Sequence, residues 1–247
     1  MTEKELFNTI CSQADGSGII YEKDLKKSFS ILMGKVYQWM AFALLITGVT
    51  AYGVAYSMSI LSFMAEHRFV VLGLCGVELA LVFVISGRIR KLSLSQATIL
   101  FILYSLVNGI TLSLVLLVYQ ETSIVKAFLV SAATFGTMAL YGYATKKDLS
   151  SIGRLLFFAL IGLIIATVVN FFFRSSGMEL LISYAGVVIF IGLTAWDSQK
   201  IKKILLEEAQ YGVDEKSQKI ALMGALQLYL DFINLFLYLI RIMGSKK

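Results

Sequence analysis

Long apolar stretches broken by short polar links set the pattern of this chain. Runs of about 18 or more predominantly apolar residues recur along it, each long enough to cross a bilayer as a helix. Seven such spans are predicted, at about 36–58, 69–88, 97–119, 124–143, 155–173, 179–199 and 218–243. The links between them are short except before the last span. There, Lys200 to Lys219 carries Lys200, Lys202, Lys203, Glu207, Glu208, Asp214, Glu215, Lys216 and Lys219. Ile201, Ile204 and Leu205 recur at helical spacing in this stretch, so the sixth span is expected to continue as an amphipathic cytosolic extension. The expected organisation is a polar cytosolic tail over 1–35, a transmembrane domain over 36–243 and a short basic tail over 244–247.

Composition agrees with this class. The 247 residues are 58% hydrophobic and 15% charged, far from the roughly one-quarter charged expected of a soluble domain. The net charge of +6 does not indicate nucleic-acid binding, because the basic residues cluster at span ends, where anionic lipid and loop topology account for them. With the N-terminus placed in the cytosol, most Lys and Arg fall inside, among them Arg88, Arg90, Lys91, Lys146, Lys147 and Lys200. Arg68, Lys126, Arg174, Arg241, Lys246 and Lys247 fall outside. The basic C-terminus departs from that bias. Either the last span crosses fully or it enters and returns, and its continuous helical pattern favours a full crossing.

Cys11 and Cys75 show no metal-thiolate or redox spacing. The single histidine, His67, lies in a loop, which excludes a Ser-His mechanism within the membrane. The chain has no proline, so only glycines are available to break its helices.

The chemistry sits in the acids of the apolar runs. Asp231 lies in the middle of Ile220–Ile240, and Asp197 closes Leu180–Trp196. A carboxylate at a bilayer centre costs about 2.5–3.5 kcal/mol on insertion scales, so it faces a partner or a wet path. Gln227, Asp231, Asn234 and Tyr238 follow at i, i+4, i+7 and i+11 and share one stripe of the last helix, which Gly224 and Ala221 continue with small residues. Gln227 and Asn234 read as interhelical hydrogen-bonding groups, and so do Asn108 and Asn170. Glu78, within the second span, reads as a further buried acid. Arg88 and Arg90 end that span, either as topology determinants or as long stems reaching a carboxylate.

Asp197 has two readings, an acid at a helix end paired with a snorkelling lysine or a partner of Asp231. The second requires span six to run on past Asp197, or a helix tilted across the core, because Asp197 otherwise lies nearer the cytosolic face. Two neighbouring carboxyls in a low dielectric share a proton and titrate as a pair. Their oxygen ligands suit a hard cation such as Ca²⁺, but two carboxylates are too few for a closed site, so transient passage is favoured over storage.

Leu228-Tyr229-Leu230-Asp231-Phe232-Ile233-Asn234-Leu235-Phe236 resembles the last-helix signature of the transmembrane Bax-inhibitor-motif (Bax inhibitor-1-like) family. Asp197-Ser198-Gln199-Lys200-Ile201 is similar to the signature ending that family's sixth helix. Asn108-Gly109-Ile110-Thr111-Leu112 and Lys146-Lys147-Asp148-Leu149-Ser150 are less specific matches. The resemblance, to a bacterial member, implies a seven-helix all-α membrane bundle with the last helix central and a pH-sensitive calcium leak. It implies that Asp197 and Asp231 meet as the pH-sensing pair on the ion path, with transient Ca²⁺ contact. It also implies that a basic residue ending the second helix, Arg88 or Arg90, latches onto Asp197, and that Glu78 matches an acid of that helix.

The expected protein is therefore a cation leak channel of a bacterial cytoplasmic membrane, with an endomembrane as the second possible location. It is not expected to be an enzyme. It takes no cofactor beyond Ca²⁺ as the permeant ion, and its partners are lipid, Ca²⁺ and protons. A monomer is favoured. An intramembrane aspartyl protease also uses acids on its sixth and seventh helices, but its Pro-Ala-Leu element has no counterpart here. Buried acids also suit a proton-coupled transporter of a small solute, and a non-conducting regulatory membrane protein is a further reading of the same spans.

Overall fold

A computed structural model describes residues 18–247. The chain forms α1 (Gly18–Ala55), α2 (Met58–Glu66), α3 (Arg68–Arg88), α4 (Leu94–Val118), α5 (Glu121–Ala144), α6 (Ser150–Phe173), α7 (Ser176–Ala209) and α8 (Glu215–Met243). Among the described residues the only pairing outside helices is an isolated antiparallel bridge between Tyr119 and Lys246. Helices dominate for a physical reason. In lipid the backbone must satisfy its own polar groups, and a chain without proline can do so through whole spans. All of these helices except the nine-residue α2 are long and apolar enough to cross a membrane, seven in number.

Exposure separates lipid-facing from enclosed helices. Only 6% of the apolar window is buried in α3 and in α6, whereas 67% is buried in α8. In α6, Phe158, Ile164, Ile165 and Phe171–Phe173 are exposed, as expected of side chains whose solvent is acyl chain. In α8, Leu222, Leu226, Leu228, Tyr229 and Leu235 are fully buried.

Two compact units make up the chain. One contains Glu121–Glu207 and Leu230–Ser245, hence α5, α6, most of α7 and the second half of α8. Small residues let its helices approach closely. A Cβ on Gly142 would lie 2.0 Å from the Ala195 carbonyl oxygen, and one on Gly153 would lie 2.1 Å from the Trp196 ring. Phe128 and Phe135 meet Phe232 edge to face. The other unit contains Glu22–Gln120, Glu208–Tyr229 and Lys246–Lys247. There Gly109 stands against Thr47 and Thr50, and Phe101 and Tyr104 pack edge-on to Tyr229.

Local signals explain several helix ends. Ser93 and Gln96 form a capping box at the start of α4. Arg174 ends α6 in the left-handed region at φ 50° and returns its N–H to the Asn170 carbonyl.

Two features differ from the sequence expectation. The first membrane helix begins at Gly18 rather than near residue 36, and Leu25, Leu32 and Met33 are already buried, so residues 18–35 are continuous with the span. The part of the expected tail before residue 18, with Cys11, lies outside the described residues. The short helix α2 occupies the first link, which the sequence did not single out, because nine residues are too few to register as a span. The expected extension of span six is present: α7 continues to Ala209 with Ile201, Leu205 and Leu206 buried. α8 is unbroken for 29 residues, which removes the enter-and-return path for the last span. The chain end pairs with the link after α4, where Lys247 N–H donates to the Val118 carbonyl.

Candidate functional site

Asp197 and Asp231 lie in one unit and are hydrogen-bonded through their carboxyls. Both are buried, at 4% and 5% exposure. The continuation of α7 resolves their depth. Asp197 is 12 residues before the end of that helix, and Asp231 is 16 residues after the start of the next. At 1.5 Å per residue these are about 18 and about 24 Å from a shared link, so the two reach comparable heights. Asp197 is thus an interior residue of α7, which removes the reading of an acid at a helix end.

A hydrogen bond between two carboxyls needs a proton on one of them. The Oδ2 atom of Asp231 is buried with no hydrogen-bond partner among the described residues. An acid with an unsatisfied oxygen in a low-dielectric interior is costly, and it is poised to take a proton, a water or a cation. Lys200, whose Nζ lies 5.2 Å from the centroid of the Trp196 ring, is the basic group whose charge acts on Asp231. Among the described residues no three His, Cys, Asp or Glu side chains gather into a metal cluster.

The residues after Asp197 hold it in place. Ser198 Oγ donates to the Ala139 carbonyl at 2.8 Å. Gln199 accepts from Leu149 N–H at 2.9 Å and donates to the Lys147 carbonyl at 2.8 Å. Lys202 Nζ donates to the Tyr143 carbonyl at 2.7 Å and lies 4.4 Å from that residue's ring centroid. Lys203 pairs with Asp148 at 2.9 Å. This bond, with those from Ser150, holds the Asp148 carboxyl down to about 2. The two stretches Asp197–Ile201 and Lys146–Ser150 are therefore one hydrogen-bonded element. Sequence reading recognised both but not their pairing. Both surround a close helix contact, since Gly142 meets Ala195 and Gly153 meets Trp196.

The remaining predicted residues are placed as follows. Glu78 is half-buried rather than buried and accepts a 2.6 Å hydrogen bond from Thr111. Its unit is the one without the aspartate pair. Arg88 and Arg90 are exposed residues of that same unit, with Ile89 buried between them. Gln227 is half-buried. Asn234 donates to the Leu230 carbonyl of its own helix, which corrects its reading as an interhelical donor, because the i−4 carbonyl is the nearest acceptor its short side chain meets. Asn170 is corrected similarly: its Oδ1 accepts from Ser175 N–H just after its own helix. Asn108 does bridge helices, accepting from the Tyr229 hydroxyl at 2.9 Å. Tyr229 also bonds Thr47 at 2.7 Å. This buried Thr47–Tyr229–Asn108 chain was missed because a lone Tyr in a Leu-rich run carries no spacing signal.

Residues 30–247 match the family described as Inhibitor of apoptosis-promoting Bax1. The chain is 45% identical over 215 residues to "Inner membrane protein YbhL" of Escherichia coli, covering 87% of this chain and 92% of that one. It is 42% identical over 215 residues to a Borreliella burgdorferi protein, with the same coverage. A Streptococcus pyogenes membrane protein is 38% identical over 212 residues, covering 85% and 90%. With seven apolar spans, a buried acid pair and this match over most of its length, the chain is an integral membrane protein that belongs to the Bax1-I, or Bax inhibitor-1-like, family.

Proposed function

We propose that the protein is a pH-sensitive cation leak with calcium as permeant ion, acting in a bacterial cytoplasmic membrane with its N-terminus in the cytosol. The observation that carries this reading is the buried Asp197–Asp231 contact with an Asp231 oxygen left unsatisfied. With a shared proton the pair carries one negative charge; without it, two. Raising pH removes that proton, adds charge to the path and pushes the carboxylates apart, which favours entry of a hard, oxygen-seeking cation.

Calcium entry into proteoliposomes with a trapped dye, from about pH 6 to about pH 8, tests this near-neutral titration. Flux is expected to change over that range in the wild type and to be abolished in Asp231→Asn. Undiminished flux in folded Asp231→Asn removes the aspartate from the permeation path. No flux above that of empty liposomes, with the protein folded, would instead favour a transporter of another solute or a regulatory membrane protein.

A further inference from the structure

A groove of about 460 Å³ lies where α6 ends and α7 begins, and it takes Arg241 from the end of α8. Every residue lining it belongs to the unit that holds the aspartate pair. Arg174, Arg241, Asn170 and Glu179 all line it.

Three of these groups present N–H donors. Arg174 stands at the left-handed cap that ends α6. Arg241 is fixed against the Tyr238 ring, with 5.5 Å from guanidinium carbon to centroid. Asn170 uses its Oδ1 on Ser175, leaving its amide nitrogen without an acceptor among the described residues. Neither arginine makes an ion pair among the described residues, although Glu179 lines the same groove. The last turn of α6 is Phe171-Phe172-Phe173, exposed at 69, 76 and 77%, and Phe171 lines the groove. Guanidinium forks match phosphate oxygens, and bare aromatic surface on a membrane span is covered by acyl chain.

We propose that this groove seats the headgroup of one phospholipid whose phosphate lies against Arg174 and Arg241. Its amine lies against Glu179, and its chains run down the phenylalanine turn. Two cations and one carboxylate complement a phosphodiester that also carries a hydrogen-bond-donating ammonium, so phosphatidylethanolamine fits better than phosphatidylcholine, whose ammonium has no N–H. The site is independent of whether the protein conducts calcium.

Native mass spectrometry of the full chain released from nanodiscs of phosphatidylethanolamine or phosphatidylcholine tests it. The wild type is expected to retain one phosphatidylethanolamine, and the double variant Arg174→Gln, Arg241→Gln to lose about tenfold in retention, as expected for losing a charge-assisted contact. Arg174→Lys keeps the charge and the cap but not the fork, and is expected to fall between the two. Glu179→Gln is expected to erase the preference for phosphatidylethanolamine while keeping the adduct. Lys126→Gln, a basic change outside the groove, is expected to change nothing. Equal retention by the wild type and the double variant would overturn the proposal, as would equal loss in Lys126→Gln. Displacement of the lipid by millimolar inorganic phosphate would overturn it too, by marking a site for soluble anions.

Discussion

Two buried polar centres draw on neighbouring positions of α8 and are built to opposite ends. At Tyr229 the hydroxyl meets Thr47 and Asn108, and Thr47 in turn donates to the Ser105 carbonyl. These neutral groups share two hydroxyl protons, and the Phe101 and Tyr104 rings pack edge-on to Tyr229. At Asp231 the partner is another acid, and one oxygen is left over. The first arrangement stabilises the fold as it stands. The second has a charge that depends on its proton, so it keeps a reason to change. Burial alone does not separate the two centres; incomplete satisfaction does.

The sharpest test of that contrast is a pair of conservative substitutions. Asp231→Asn is expected to abolish calcium flux, whereas Tyr229→Phe leaves flux and its pH dependence in place, both read in the same liposome assay. If Tyr229→Phe shifted the pH profile, the two centres would be one. Next in size, Gly142→Leu drives a side chain into the Ala195 carbonyl and is expected to destabilise the unit around the aspartates by at least about 1–3 kcal/mol. Thermal unfolding in detergent would show it as a lowered midpoint. Tyr229→Phe removes one hydroxyl from Thr47 and Asn108 and is expected to cost about 1–3 kcal/mol of stability by the same measurement. The smallest effect is at Asp148. Its carboxyl is held down, first by the Lys203 hydrogen bond, so its contribution is present above the unfolded value of about 3.9 and is lost as pH falls toward about 2. Lys203→Gln should remove it at neutral pH. The pair is exposed to solvent, so the change is expected to stay below about 1 kcal/mol and to fade with salt.

The sequence showed the spans because hydrophobic length is a one-dimensional property. It showed Asp197 and Asp231 because an acid in a long apolar run stands out wherever the chain goes. It did not show how Asp197 is held. The bonds from Gln199 to Lys147 and Leu149 join residues about 50 positions apart, and a glutamine beside a lysine at a span end reads as surface. Asn234 failed as an interhelical group for the reverse reason: its stripe position was right, but a short amide finds its own helix first. The start of α1 was misplaced because Lys23, Lys26 and Lys27 lower the local hydropathy, although the apolar face that carries Leu25, Leu32 and Met33 continues through them.

The pairing of the last two residues with the link after α4 has a topological consequence. Tyr119 bridges Lys246, and Lys247 donates to Val118, so the end of the chain and that link share one surface of the membrane. Between those points the chain must traverse the bilayer an even number of times, and α5, α6, α7 and α8 supply four passages. A single reporter fused after Lys247 therefore assigns the side of every link at once, because each neighbouring link must alternate from the one it fixes.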